Sequence, residues 1–127
     1  MAGFGFDRMY TFIYHTDLER ADRFYGGLLG LEAVPESDWV VNYRVAPGMM
    51  IGVVQDGRGF LRATEDKPVI LCLGVPDDGD IWEVYNRLRD AGVTMRTSEV
   101  ELREAEGRVF FCEDPEGYVV EIVQRPK

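Results

Sequence analysis

The chain has 127 residues, 46% of them hydrophobic, with a formal net charge of −9. Such a length suits one domain, or two small modules sharing a core, and the apolar content excludes a disordered chain. The acidic balance speaks against nucleic acid as a partner, since phosphates are bound by basic surfaces; it suits a cationic small molecule, and it also serves solubility alone.

No stretch reaches the roughly 20 apolar residues of a membrane span. The N-terminus shows no basic region followed by an apolar one, so no signal peptide is expected. Cys72 and Cys112, the two cysteines, form no C-x-x-C pattern and predict no disulfide framework. A reducing, cytoplasmic setting is the expectation.

Taken in order, residues 9–15 alternate as a strand, with Tyr10, Phe12 and Tyr14 on one face and Thr11, Ile13 and His15 on the other. Thr16 and Glu19 stand at capping-box spacing and predict a helix start. Leu18, Ala21, Tyr25 and Leu28 follow at helical spacing as its buried stripe, and Gly26, Gly27 and Gly30 loosen and end it. Residues 39–45 read as a strand with Trp39, Val41 and Tyr43 on one side. Pro47 and Gly48 then turn the chain into the strand phrase P-G-M-M-I-G-V-V-Q. A polar stretch around Asp56 and Gly57 predicts a linker at 58–67.

The second half repeats the order. Residues 68–75 form a strand, and Asp80 with Glu83 caps a helix whose stripe is Ile81, Val84, Tyr85, Leu88 and Ala91, ended by Gly92. Residues 93–103 hold a short strand, and 108–113 another. The stretch 114–124 reads D-P-E-G-Y-V-V-E-I-V-Q, a proline–glycine turn followed by a buried strand with one charge, Glu121. A carboxylate inside such a strand needs a partner, a proton or a ligand. Laying Gly48 on Gly117 also lays Gln55 on Gln124 and Gly52 on Glu121. That match predicts an internal duplication. The fold class expected is therefore α+β: two tandem βαβββ modules, about 1–57 and 68–127, forming curved, mainly antiparallel sheets around a cavity within a single domain.

Residues 14–30, Y-H-T-D-L-E-R-A-D-R-F-Y-G-G-L-L-G, resemble the opening of the vicinal oxygen chelate superfamily. Residues 88–92, L-R-D-A-G, and the stretch 114–124 are similar to its second-module signatures. That superfamily includes glyoxalase I, extradiol dioxygenases, fosfomycin-resistance proteins and bleomycin-binding proteins. The resemblance implies the fold and a homodimer. For the metal-dependent enzymes it also implies a divalent ion held by side chains from the first and last strands of each module. Carried over, those positions are Tyr10, Gly52, Ile70 and Glu121. Only Glu121 is a plausible ligand, because glycine and isoleucine offer no donor and tyrosine is a poor one for the usual divalent ions. No metal and no other cofactor is therefore expected. His15, the one histidine, has the parity of the helix-facing side and is expected to be packed there unless the register slips.

The expected cavity holds Tyr10, Phe12, Tyr14, Met50, Gly52, Ile70, Cys72 and Glu121, with Val54, Val119 and Val123 by alternation and Trp39, Val41 and Tyr43 as further candidates. It is apolar and aromatic with one acid, suited to a planar ligand carrying a cation. Ordinary core packing, the commoner fate of such a stripe, also accounts for these aromatics, and an ion pair with Arg108 would account for Glu121. Cys72 and Cys112 read as small buried residues, not nucleophiles. The resemblance is closest in character to the bleomycin-resistance branch, which implies sequestration of a small molecule. The alternative is a diverged enzyme using Glu121 as general base or metal ligand, with Tyr10 or Tyr14 as hydrogen-bond donor.

Overall fold

The computed structural model describes residues 3–125. The chain divides into two compact units between Thr64 and Glu65. Each repeats one plan, strand, helix and three strands: β1 (Met9–His15), α1 (Leu18–Asp22), β2 (Glu32–Pro35), β3 (Val40–Ala46) and β4 (Met49–Gln55), then β5 (Ile70–Gly74), α2 (Ile81–Asp90), β6 (Glu101–Arg103), β7 (Gly107–Glu113) and β8 (Val119–Gln124). Each unit builds one four-stranded sheet, ordered β1-β4-β3-β2 and β5-β8-β7-β6. In both, the outer first strand runs parallel to the last strand, while the remaining pairs are antiparallel. The α+β class with two βαβββ sheets is as expected.

The duplication extends to side chains. The carboxamide of Gln55 donates to the Thr16 carbonyl at 3.1 Å, and that of Gln124 donates to the Pro76 carbonyl at 2.9 Å. Each glutamine thus ties the end of its last strand to the loop after its first strand. Gly48 and Gly117, aligned by the repeat, both have positive φ, 78° and 98°. Both enter their strands through a left-handed turn that glycine adopts without a Cβ clash.

Helix starts are set by aspartates. Asp17, not Thr16, caps α1, accepting from the Glu19 and Arg20 amides at 3.0 and 3.1 Å. The capping-box expectation is therefore one residue early; the carboxylate satisfies two amides where a hydroxyl would satisfy one. After Asp22 the helix widens into a π-helical segment, Arg23–Leu28, which contains Gly26 and Gly27. Asp80 caps α2 through the Trp82 amide at 2.9 Å, and Gly92 follows its end with φ 81°.

In the first unit Ala21, Phe24 and Tyr25 are buried, as are Ile13, Tyr43, Ile51 and Val53 from the sheet. In the second, Ile81, Tyr85 and Leu88 are buried with Leu71, Phe110, Cys112, Val120 and Ile122. These sets alternate along their strands, so each sheet commits one face to its helix and leaves the other for a different use. The predicted linker is more than a connector. Ala63 packs on the cluster of Tyr14, Val40 and Val54, and the Leu61 amide donates to the Tyr14 hydroxyl at 3.2 Å.

Candidate functional site

Register decides which residues share a face. In the first sheet Phe12 lies beside Gly52, and Gly52 beside Asn42. The next row toward the start of β1 is Tyr10, Met50 and Arg44, and the next toward its end is Tyr14, Val54 and Val40. Paired residues point to the same side of a sheet, so these rows form the face turned away from the helix. Tyr10 and Phe12 stack there with ring centroids 5.9 Å apart and planes 11° from parallel. They remain 39% and 48% exposed, unusual for aromatic rings on the middle of a strand. Gly52 is what makes room for them: a Cβ there would lie 2.5 Å from the Phe12 ring and 2.8 Å from Asn42 Oδ1.

The equivalent row of the second sheet is Cys72, Glu121 and Phe111. Glu121 is half-buried and Cys72 exposed. Burial, the Glu121 charge and a hydrogen bond to that carboxylate hold the Cys72 thiol above its ordinary range, with Arg125 opposing. The Arg103 guanidinium lies 5.2 Å over the Phe111 ring. Ile70 and Val119 pair in the adjoining row, as do Val123 and Val109 on the far side. Arg108 is three residues from Phe111 on β7 and pairs with Gln124, so it belongs to the other face. An Arg108–Glu121 ion pair is absent among the described residues.

The structure thus places Tyr10, Phe12, Tyr14, Met50 and Gly52 on one face of the first sheet, and Ile70, Cys72 and Glu121 on one face of the second. The expectations for Tyr43, Val41 and Cys72 are corrected. Tyr43 is on the helix side, its hydroxyl donating to Asp22 Oδ1 at 2.7 Å and its ring 5.7 Å from that of Tyr25. Val41 shares that side, paired with Val53. Trp39 precedes the strand but stays with the row facing away from the helix, packing on Tyr14, Val40 and Val54 and carrying the Arg58 guanidinium 5.3 Å over its ring. Finally, Cys72 is exposed, whereas Cys112 is fully buried and its thiol is pushed up to about 12, chiefly by that burial. His15 is fully buried against the helix, its ring 6.2 Å from Tyr25 in an edge-on contact.

Asn42 is the site residue that alternation passed over. It sits between Val41 and Tyr43, which alternation expects on the cavity side, and so falls on the opposite parity. A polar residue between two apolar ones within a strand was its available signal.

Residues 9–122 match the Glyoxalase/Bleomycin resistance protein/Dioxygenase superfamily. The chain belongs to that superfamily. No curated protein matches it. Among solved structures, an oxidase named ChaP-H2 is 25% identical, with a TM-score of 0.74 over 97% of this chain and 96% of that one. An integron cassette protein from the mobile metagenome of V. cholerae is 22% identical, with a TM-score of 0.72 over 98% and 97%. Lactoylglutathione lyase from Agrobacterium tumefaciens is 19% identical, with a TM-score of 0.70 over 91% of each chain. The last two establish likeness of fold alone.

Members of this superfamily often bind a divalent metal, and the four positions carried over from its enzymes test whether this chain fits one. Tyr10 and Gly52 occupy the first unit's pair, Ile70 and Glu121 the second's. One carboxylate, a phenol and two residues without donors do not make the three-donor set that a catalytic metal keeps. Among the described residues no group of three or more His, Cys, Asp and Glu side chains is gathered to hold an ion. That donor set does not fit the metal.

Proposed function

We propose that the protein is a metal-independent small-molecule-binding protein of the bleomycin-resistance type, which sequesters an aromatic, cationic ligand. One observation carries this reading. The stacked Tyr10 and Phe12 rings stand exposed beside Gly52, and Tyr10 is the β1 position where the family's enzymes place a metal ligand. Ring faces attract a flat cation through their quadrupole, a contact worth about 0.5–2 kcal/mol depending on desolvation. The overall charge of −9 favours a cationic ligand in the surrounding solution.

The proposal extends to a homodimer, in keeping with the habit of the superfamily. Exposed Phe4, Phe6, Met9 and Met49 give the first unit apolar surface of the kind that assembly covers. A single-chain mass by light scattering at working concentrations would contradict it.

The test is a thermal-shift screen of aromatic cations against the full chain, with and without chelator. A true ligand raises the melting temperature in both conditions. Tyr10→Ala lowers the affinity for such ligands about tenfold, as expected for loss of one ring contact. The ligand is recovered unchanged. A second reading, a diverged enzyme with Glu121 as general base, is favoured by the oxidase among the structural relatives. It takes precedence if the recovered ligand is chemically altered.

A further inference from the structure

Asn42 is 4% exposed, and its Oδ1 accepts no hydrogen bond. A buried carbonyl oxygen without a donor costs stability, and native folds rarely leave one in that state without a use for it. Its position is specific. Asn42 pairs with Gly52 across β3 and β4, and Gly52 pairs with Phe12 across β4 and β1. The Phe12 ring edge and Asn42 Oδ1 approach one point above Gly52 from either side, at 2.5 and 2.8 Å from where a Cβ would stand. Outside Gly52 and its two chain neighbours, no atom of another residue comes as near that point. The hollow over Gly52 is therefore filled by a ring that is itself 48% exposed and has solvent to turn into.

From this arrangement we infer that Asn42 is the specificity-determining residue of the aromatic site: it accepts a hydrogen bond from a donor on the edge of a flat ligand ring that displaces Phe12 from above Gly52. The inference rests on the aromatic-site reading and deepens it by naming the ligand's edge chemistry. The orphan atom is an acceptor, so the matching ligand group is an N–H or O–H in the ring plane. Phe12 swings outward on binding and keeps Tyr10 as its stacking partner or covers the ligand's outer face. Free protein bears an unsatisfied oxygen under a hydrocarbon ring; bound protein satisfies it. A ligand of the same shape without the donor leaves that oxygen unpaired and is discriminated against, as sites built to hydrogen-bond a ligand discriminate generally.

Two fragments separate the contributions. Indole carries a ring N–H, and 1-methylindole replaces that hydrogen with a methyl group. Both are titrated into the full chain by NMR, following the Asn42 side-chain amide and the Phe12 ring signals. The wild type is expected to bind indole about tenfold more tightly, the worth of one hydrogen bond to a buried acceptor. Both signals shift with indole. Asn42→Leu and Asn42→Ala abolish the preference, and the leucine variant does not lower the melting temperature, because it removes an unsatisfied group. A preference that persists in either folded variant overturns the inference, as does an Asn42 amide signal that stays still while indole binds. Equal affinity of the wild type for both fragments overturns the role of Asn42 and leaves the aromatic site standing. No binding of either up to the solubility limit overturns the inference, while the thermal-shift screen of aromatic cations decides the aromatic site.

Discussion

Cys72 and Cys112 read alike from sequence, as small buried residues, and sit in opposite surroundings in the structure. Cys112 is enclosed on the helix face, and its thiol is held up to about 12 by burial, with Asp114 and Glu113 adding to it. Unfolded, the same thiol titrates near 9.0. Between those values the unfolded chain has given up a proton that the folded chain keeps. The contribution of Cys112 to stability is thus complete below about pH 9 and falls as pH rises toward 12, by at most about 1.4 kcal/mol per pH unit. Cys112→Ala should flatten that part of a stability-versus-pH curve from denaturant melts. At pH 7.5 a thiol reagent should modify only Cys72 in the native protein. Because the Glu121 carboxylate helps hold the Cys72 thiol up, Glu121→Gln should speed that reaction a few-fold, since the thiolate is the reactive form. An unchanged rate would mean that the two side chains do not interact in solution.

Among the elements, the paired turns before β4 and β8 offer a controlled comparison. Gly48 and Gly117 share the left-handed conformation, yet an added Cβ would meet different neighbours. At Gly117 the nearest atom is Glu113 Oε1 at 3.9 Å, whereas at Gly48 the methyl would run into the Asp7 carbonyl oxygen. Gly117→Ala should cost about 1 kcal/mol from the backbone alone. Gly48→Ala should cost roughly 3 kcal/mol, because the strand pair around Asp7 and Met9 must also shift. Equal losses in chemical denaturation would refute the difference. Both glycines were legible in the sequence, since a proline–glycine turn before an apolar run has few other meanings. The strand faces were legible only in part. Alternation separates Val41 and Tyr43 from Val40 and Asn42 but does not say which set meets the helix. The larger apolar set went to the core, where Tyr43 finds Asp22 and Tyr25. The short strand Glu32–Pro35 was not located, because four residues ending in proline carry too little periodicity.

For the molecule as a whole, the repeat was the most legible feature. Laying Gln55 on Gln124 from sequence anticipates two glutamines doing one task, tying a last strand to the loop after a first strand. The same alignment places Gly52 and Glu121 in matching rows of the two sheets. What the sequence could not reveal is the company each keeps: Phe12 and Asn42 around the glycine, Cys72 and Phe111 around the glutamate. Those neighbours come from strand pairing across tens of residues, which no local pattern encodes.

The central claim is that this member of a superfamily rich in metal enzymes binds its ligand without a metal. Elemental analysis tests it most directly. Purified protein is incubated separately with manganese, iron, nickel and zinc, desalted, and its metal measured per chain. The donor set of Tyr10, Gly52, Ile70 and Glu121 predicts far less than one ion per chain for every metal. Retention of close to one tightly held ion per chain would contradict the account and bring the glyoxalase or dioxygenase chemistry of the superfamily to the front.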